Sequence, residues 1–164
     1  MTDDELQQLS ALIGARLKAL GTTVTTAESC TGGWIAKVFT DVSGSSAWFE
    51  RGFVTYSNQA KQEMAGVQAA TLEQYGAVSE QTVREMAAGA CQAARAGYAI
   101  AVSGIAGPDG GTAEKPVGSV WFAFAAPSGK VYAYQQHFTG GRDAVRRQSV
   151  AWALQTLYDN FLKN

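Results

Sequence analysis

Ser29 closes the segment Thr25-Thr26-Ala27-Glu28-Ser29-Cys30-Thr31-Gly32-Gly33, where a β-branched run gives way to a small, glycine-rich turn and then to Trp34-Ile35-Ala36-Lys37-Val38-Phe39. A serine at such a strand-to-helix junction can act as a nucleophile. Small neighbours let backbone N–H groups approach a ligand, and the helix dipole stabilises an oxyanion developing there. The same residue types also serve a plain helix start, with Ser29 or Thr31 as the cap and Gly32 and Gly33 kept for packing. Cys30 is an alternative nucleophile, but without a paired histidine it reads as a small packed residue.

A serine hydroxyl is a poor nucleophile until a base takes its proton. His137 is the only histidine, and it stands in the alternating strand Val131-Tyr132-Ala133-Tyr134-Gln135-Gln136-His137-Phe138, at a solvent-facing position that supports no triad. Lys61, five residues after Tyr56 in Tyr56-Ser57-Asn58-Gln59-Ala60-Lys61, is the second candidate. A lysine serves as a base when burial lowers its pKa. The Tyr56 phenol both donates and accepts, so it can relay the proton or orient the amine. A solvated helix lysine beside a half-buried strand tyrosine has the same spacing, and spacing does not separate the two.

Two further segments bear on a ligand. Gly104-Ile105-Ala106-Gly107-Pro108-Asp109-Gly110-Gly111-Thr112 is too glycine-rich and too long for a simple turn. It matches neither the dinucleotide fingerprint nor the phosphate-binding loop of NTPases, since no Lys-Ser/Thr and helix follow it. It reads as a ligand loop or as a surface loop with a tight Pro108-Asp109-Gly110 turn. Arg142, Arg146 and Arg147 cluster at the start of the last helix. The dipole is already positive there, so the cluster suits an anion such as a phosphate unless Asp143 neutralises it and the arginines fan into solvent.

The elements that must hold these residues follow from periodicity. Leu6, Leu9, Ile13, Leu17 and Leu20 define an amphipathic helix over residues 3 to 20, capped by Asp3 or Asp4 and stopped by Gly21. Strands are predicted at Thr22 to Thr26, Phe53 to Tyr56, Tyr98 to Ser103, Gly118 to Ala125 and Lys130 to Phe138, the last two paired as a hairpin across Pro127-Ser128-Gly129. Helices are predicted from Trp34, from Asn58 with Ser57 or Asn58 as cap, from Ser79 to Gly97, and from Asp143 to Phe161. Alternation of this kind predicts an α/β fold: one domain spanning residues 1–164, a three-layer α/β/α sandwich with a mixed, mainly parallel sheet. Ligands of such sheets collect at strand C-terminal ends, where Ser29, Lys61 and Gly104 all fall.

Composition narrows the function classes. With 13 basic and 14 acidic residues the net charge is -1, which gives no general field for nucleic acid or anionic lipid. The acidic start Met1-Thr2-Asp3-Asp4-Glu5 predicts no export signal, and the longest apolar runs, such as Val120 to Ala126, fall well short of the roughly 20 residues that span a bilayer. Cys30 and Cys91 form neither a disulfide framework nor a zinc spacing, so a reduced cytoplasmic setting and no metal or other cofactor are expected.

Taken together, Thr26-Ala27-Glu28-Ser29-Cys30-Thr31-Gly32-Gly33, Val54-Thr55-Tyr56-Ser57-Asn58-Gln59-Ala60-Lys61, Gly76-Ala77-Val78-Ser79 and Ser103-Gly104-Ile105-Ala106-Gly107-Pro108-Asp109-Gly110-Gly111 resemble the CinA C-terminal domain family over essentially the whole chain, in the stand-alone enterobacterial form. The resemblance implies a nicotinamide-nucleotide amidohydrolase that converts nicotinamide mononucleotide and water to nicotinate mononucleotide and ammonia. It implies Ser29 as nucleophile, Lys61 as base and Tyr56 as the hydroxyl beside them. Backbone groups of Cys30, Thr31, Gly32 and Gly33 are expected around the oxyanion. The ribose phosphate is expected on the loop holding Gly104, Ala106, Gly107, Gly110 and Gly111, or on Arg142. Family members are commonly oligomeric, and the four tryptophans are compatible with a buried interface in a homo-oligomer. Many members also carry an N-terminal domain similar to molybdopterin-binding proteins, for which this chain has no room, so no competence-related or pyrophosphatase role is expected.

Overall fold

The computed structural model describes residues 1–164. Helix α1 (Asp3–Leu20) starts at Thr2, whose hydroxyl accepts from the Glu5 N–H while the Glu5 carboxylate accepts from the Thr2 N–H. The reciprocal pair moves the cap one residue ahead of Asp3 and Asp4. Those two aspartates instead line the first turn, where their charge meets the positive end of the helix. Strand β1 (Val24–Glu28) lies two residues beyond the expected span, and Ser29 follows it directly. Then come α2 (Trp34–Thr40), the short β2 (Phe53–Val54), α3 (Asn58–Ala65) capped by Ser57, and α5 (Glu80–Ala94) capped by Ser79. Between α3 and α5 sits a seven-residue helix, α4 (Ala69–Tyr75), that sequence periodicity did not reveal. Strands β3 (Tyr98–Gly104), β4 (Ser119–Ala125) and β5 (Val131–His137) lead to α6 (Arg142–Leu157), which ends in a wider turn over Tyr158–Leu162.

The five strands lie in the order β2-β1-β3-β4-β5. β2, β1 and β3 are parallel, and β4 is antiparallel to both β3 and β5. Only β4 therefore runs against the others, and the sheet is mixed and mainly parallel. In β3 large and small apolar residues alternate, and the sheet uses the difference. Ile100 and Val102 join Val24, Val120, Phe122 and Phe124 in a core with α1, α2 and α6. Ala99 and Ala101 join Ala27, Ala123 and Ala125 in a second core beneath Val83, Met86, Ala87 and Ala90 of α5. Alanine on that face lets α5 settle close to the strands. Trp48 lies in the first core and Trp152 packs on Phe122, Phe124 and Tyr134, so both serve intramolecular packing.

α5 also meets the C-terminal end of α3 without a side chain between them. A Cβ built on Gly89 lies 1.6 Å from the Ala65 carbonyl oxygen, a backbone atom that cannot swing aside. Gly89→Ala is expected to separate the helices at a cost of about 3 kcal/mol, read as a lowered midpoint in urea. Since α3 carries Lys61, the same change loosens the wall behind Ser29. No helix is long and apolar enough to cross a membrane.

Candidate active site

The turn after β1 is built by Glu28. Its carboxylate is fully buried and accepts from the Thr31 hydroxyl at 2.7 Å, the Ile35 N–H at 2.8 Å and the Ala36 N–H at 3.0 Å. These two amides are the orphan donors of the first turn of α2, so Glu28 caps that helix from the preceding strand. The formal cap position is Gly33, which has no side chain to offer, and Gly32 and Gly33 take the left-handed conformations that fold the chain back on itself. Neither Ser29 nor Thr31 is the cap. Burial raises the Glu28 pKa, and its hydrogen bonds oppose that rise. Glu28→Ala orphans a buried amide, a half-buried one and a hydroxyl, and a loss of about 3 kcal/mol is expected in denaturant unfolding.

Relieved of capping, the Ser29 hydroxyl faces Lys61. The Lys61 Nζ lies 2.9 Å from Ser29 Oγ and donates a second hydrogen bond, at 2.8 Å, to the Thr55 carbonyl oxygen. Lys61 is 1% exposed. Burial brings its pKa down to about 8 from the ordinary 10.5. Parallel pairing makes this meeting possible. Glu28 stands opposite Val54, so Ser29 and Thr55 leave the sheet together, and the Glu28 carbonyl accepts from the Thr55 N–H at 2.8 Å. One turn into α3, Lys61 then points back under both.

Tyr56 stands elsewhere in the cleft. It is 60% exposed, and its phenol oxygen accepts from Arg142 at 3.1 Å. It makes no hydrogen bond to Lys61 or Ser29, and the contact expected of it, orienting the amine, is made by the Thr55 carbonyl. Arg142 also donates to the Gly107 carbonyl at 2.9 Å, tying α6 to the glycine-rich loop. Ser29, Cys30, Tyr56, Gly104, Ala106 and Arg142 together line a cleft of about 240 Å³.

The remaining expected residues divide. Thr31, Gly32 and Gly33 border a separate groove with Trp34, Arg146 and Arg147. Gly107 and Gly111 pack against Val117, where a Cβ would lie 2.5 and 2.9 Å from its side chain, and Gly110 is exposed beyond them. Those glycines serve the return of the loop, and Gly104 and Ala106 face the cleft. The other two arginines of the cluster have protein partners. Arg147 pairs with Asp3 at 2.8 Å, and Arg146 donates to the Cys30 and Thr31 carbonyls at 3.0 and 3.3 Å. The Cys30 thiol is buried and its pKa pushed up to about 11, which leaves no thiolate to attack. His137 is exposed with its ring against the Val117 carbonyl. No three His, Cys, Asp or Glu side chains gather to hold a metal ion.

The roles of Glu28 and Thr55 were not assigned from sequence. A carboxylate at the end of an otherwise uncharged, β-branched strand, three residues before a threonine, is the one local signal that could have found Glu28.

The family model of the CinA C-terminal domain matches residues 6–161. The chain is 66% identical over all of its length, and 99% of the other, to a protein of Escherichia coli strain K12 called nicotinamide-nucleotide amidohydrolase PncC. It is 50% identical to the Pseudomonas putida protein of that name, over 94% of this chain and 96% of that one. Among solved structures, the competence/damage inducible protein CihA from Agrobacterium tumefaciens superimposes with a TM-score of 0.91 at 47% identity, covering 96% of this chain and 94% of that one. By match, identity and fold, the chain belongs to the CinA C-terminal domain family.

Proposed function

We propose that the chain hydrolyses the carboxamide of nicotinamide mononucleotide, giving nicotinate mononucleotide and ammonia, with Ser29 as nucleophile and Lys61 as its base. The observation that carries this reading is the buried 2.9 Å contact between Ser29 Oγ and Lys61 Nζ. The substrate is taken from the full-length likeness to nicotinamide-nucleotide amidohydrolases.

Lys61 acts in its neutral form, which a pKa near 8 makes accessible close to neutral pH. It keeps a hydrogen bond to the Thr55 carbonyl and presents its lone pair to the Ser29 proton. Ser29 Oγ attacks the carboxamide carbon, and the oxyanion forms beside the turn at Cys30 and Thr31. Lys61 returns the proton to the leaving nitrogen, ammonia departs, and a nicotinoyl ester remains on Ser29. Water, losing its proton to Lys61, then hydrolyses the ester and restores the serine. Lys61 serves every proton transfer in these steps, and no electrons change hands. Arg142 is the group for the ribose phosphate, standing over the cleft with the Tyr56 phenol beside it.

The reading also places the protein in the cytoplasm as a homo-oligomer, with neither nucleic acid nor membrane as partner. Two unpaired cysteines suit a reducing compartment, and sedimentation reads the assembly. Incubation with nicotinamide mononucleotide tests the function. Ammonia and nicotinate mononucleotide are expected in equal amounts, whereas saturable binding heat without product marks a binding module and released phosphate marks a phosphatase.

A further inference from the structure

The nucleophile turn leaves two backbone donors unused. The Gly32 N–H donates to the Ser29 carbonyl and the Trp34 N–H to the Thr31 carbonyl, each at 3.0 Å. Those of Ile35 and Ala36 go to Glu28, and that of Gly33 faces the same carboxylate. The N–H groups of Cys30 and Thr31 reach no carbonyl or side-chain oxygen. Each belongs to a peptide plane whose other end is held. The Ser29 carbonyl, across the plane from the Cys30 N–H, accepts from Gly32. The Cys30 carbonyl, across the plane from the Thr31 N–H, accepts from Arg146 Nε at 3.0 Å.

Arg146 is itself held. Its guanidinium lies 5.5 Å from the centre of the Trp34 ring and makes a second contact, at 3.3 Å, with the Thr31 carbonyl. A peptide C=O and the N–H that follows it share one rigid plane and one dipole. A cation on the Cys30 oxygen therefore fixes the orientation of that plane, and with it the turn that carries the Cys30 N–H. An oxyanion site works by donors set in place before the charge develops. This explains why a guanidinium sits near the N-terminal end of α6, where the dipole disfavours it. Its partners are carbonyls of another turn.

We infer that Arg146 is a positioning residue which, through the Cys30 and Thr31 carbonyls, holds the turn that sets the cleft-lining Cys30 N–H toward the oxyanion formed at Ser29. The inference rests on the proposed role of Ser29.

The test compares Arg146→Ala, Arg146→Lys, Arg147→Ala and Ser29→Ala on nicotinamide mononucleotide and on its thioamide analogue, whose sulfur accepts hydrogen bonds poorly. For Arg146→Ala, kcat is expected to fall about 10- to 100-fold with KM within about threefold. The rate penalty for sulfur should shrink by a similar factor, because the donor that sulfur fails to use is already misaligned. Arg146→Lys restores part of kcat, and Arg147→Ala, which loses the Asp3 pair, the Met1 carbonyl contact and the second cation on Trp34, keeps it. If Ser29→Ala is inactive while Arg146→Ala keeps wild-type kcat, or loses kcat with the sulfur penalty unchanged, the inference is overturned and the reading of Ser29 stands. Normal turnover by Ser29→Ala overturns both. Should Arg146→Ala not fold, Arg146→Lys, with one donor in place of the fork, is read for the same two quantities.

Discussion

Ser29→Ala protein is expected to release ammonia from nicotinamide mononucleotide at least about 10⁴-fold more slowly than the wild type, with its unfolding midpoint almost unchanged. The two outcomes belong together. Ser29 Oγ contributes one hydrogen bond, from Lys61, and takes no part in capping α2, which Glu28 serves. Its removal leaves the Lys61 ammonium with the Thr55 carbonyl as partner and costs about 1 kcal/mol. The chemistry loses its nucleophile outright. Activity assays and thermal melts on the same preparation check both, and a large drop in stability would return Ser29 to a structural role.

Lys61→Met separates activity from stability in the opposite sense. The base is lost, so turnover is expected to fall about 10³-fold or more, while the protein becomes more stable at neutral pH by on the order of 1–3 kcal/mol. The sign follows from the pKa of about 8 in the folded chain against 10.5 ordinarily. Below about pH 8 the folded protein carries the charge in a buried place, and that cost is full. The unfolded chain keeps the proton up to the ordinary value, so wild-type stability rises as pH goes from about 8 towards 10.5. The methionine variant lacks that rise. Activity tracks the neutral amine: kcat/KM of the wild type should climb roughly tenfold per pH unit below about 8 and level off above it. Denaturant titrations at pH 7 and 9.5 and a pH–rate profile check the two halves.

The elements that hold the site were readable because their signals are local. Leucines at helical spacing give α1, serine caps give α3 and α5, and the turn at Pro127-Ser128-Gly129 gives the hairpin of β4 and β5. Helix α4 was missed because Gln68 at its start makes no side-chain cap and its buried contacts, Thr71 and Leu72, are too few to show a period. The site itself is a product of pairing. Ser29 and Lys61 are 32 positions apart, and what joins them is the register of β1 on β2, which no spacing encodes. The roles of both came from the ordered family motifs.

Two side-chain placements differ from what the sequence led one to expect. Tyr56 was expected against the amine and instead receives Arg142, because in an extended segment successive residues point to opposite sides and Thr55 turns its carbonyl inward. The arginine cluster was read as an anion site. Arg147 found Asp3, and Arg146 found carbonyl oxygens, a partner that sequence does not advertise because every residue has one.

The central claim is that the carboxamide passes through an ester on Ser29, and partition with hydroxylamine reads this without requiring the ester to accumulate. With nicotinamide mononucleotide and rising hydroxylamine, the account predicts nicotinohydroxamate mononucleotide forming in proportion to the added nucleophile at the expense of nicotinate mononucleotide, and neither product from Ser29→Ala. Nicotinate mononucleotide as the sole product at every hydroxylamine concentration, or hydroxamate formed equally well by Ser29→Ala, would contradict it.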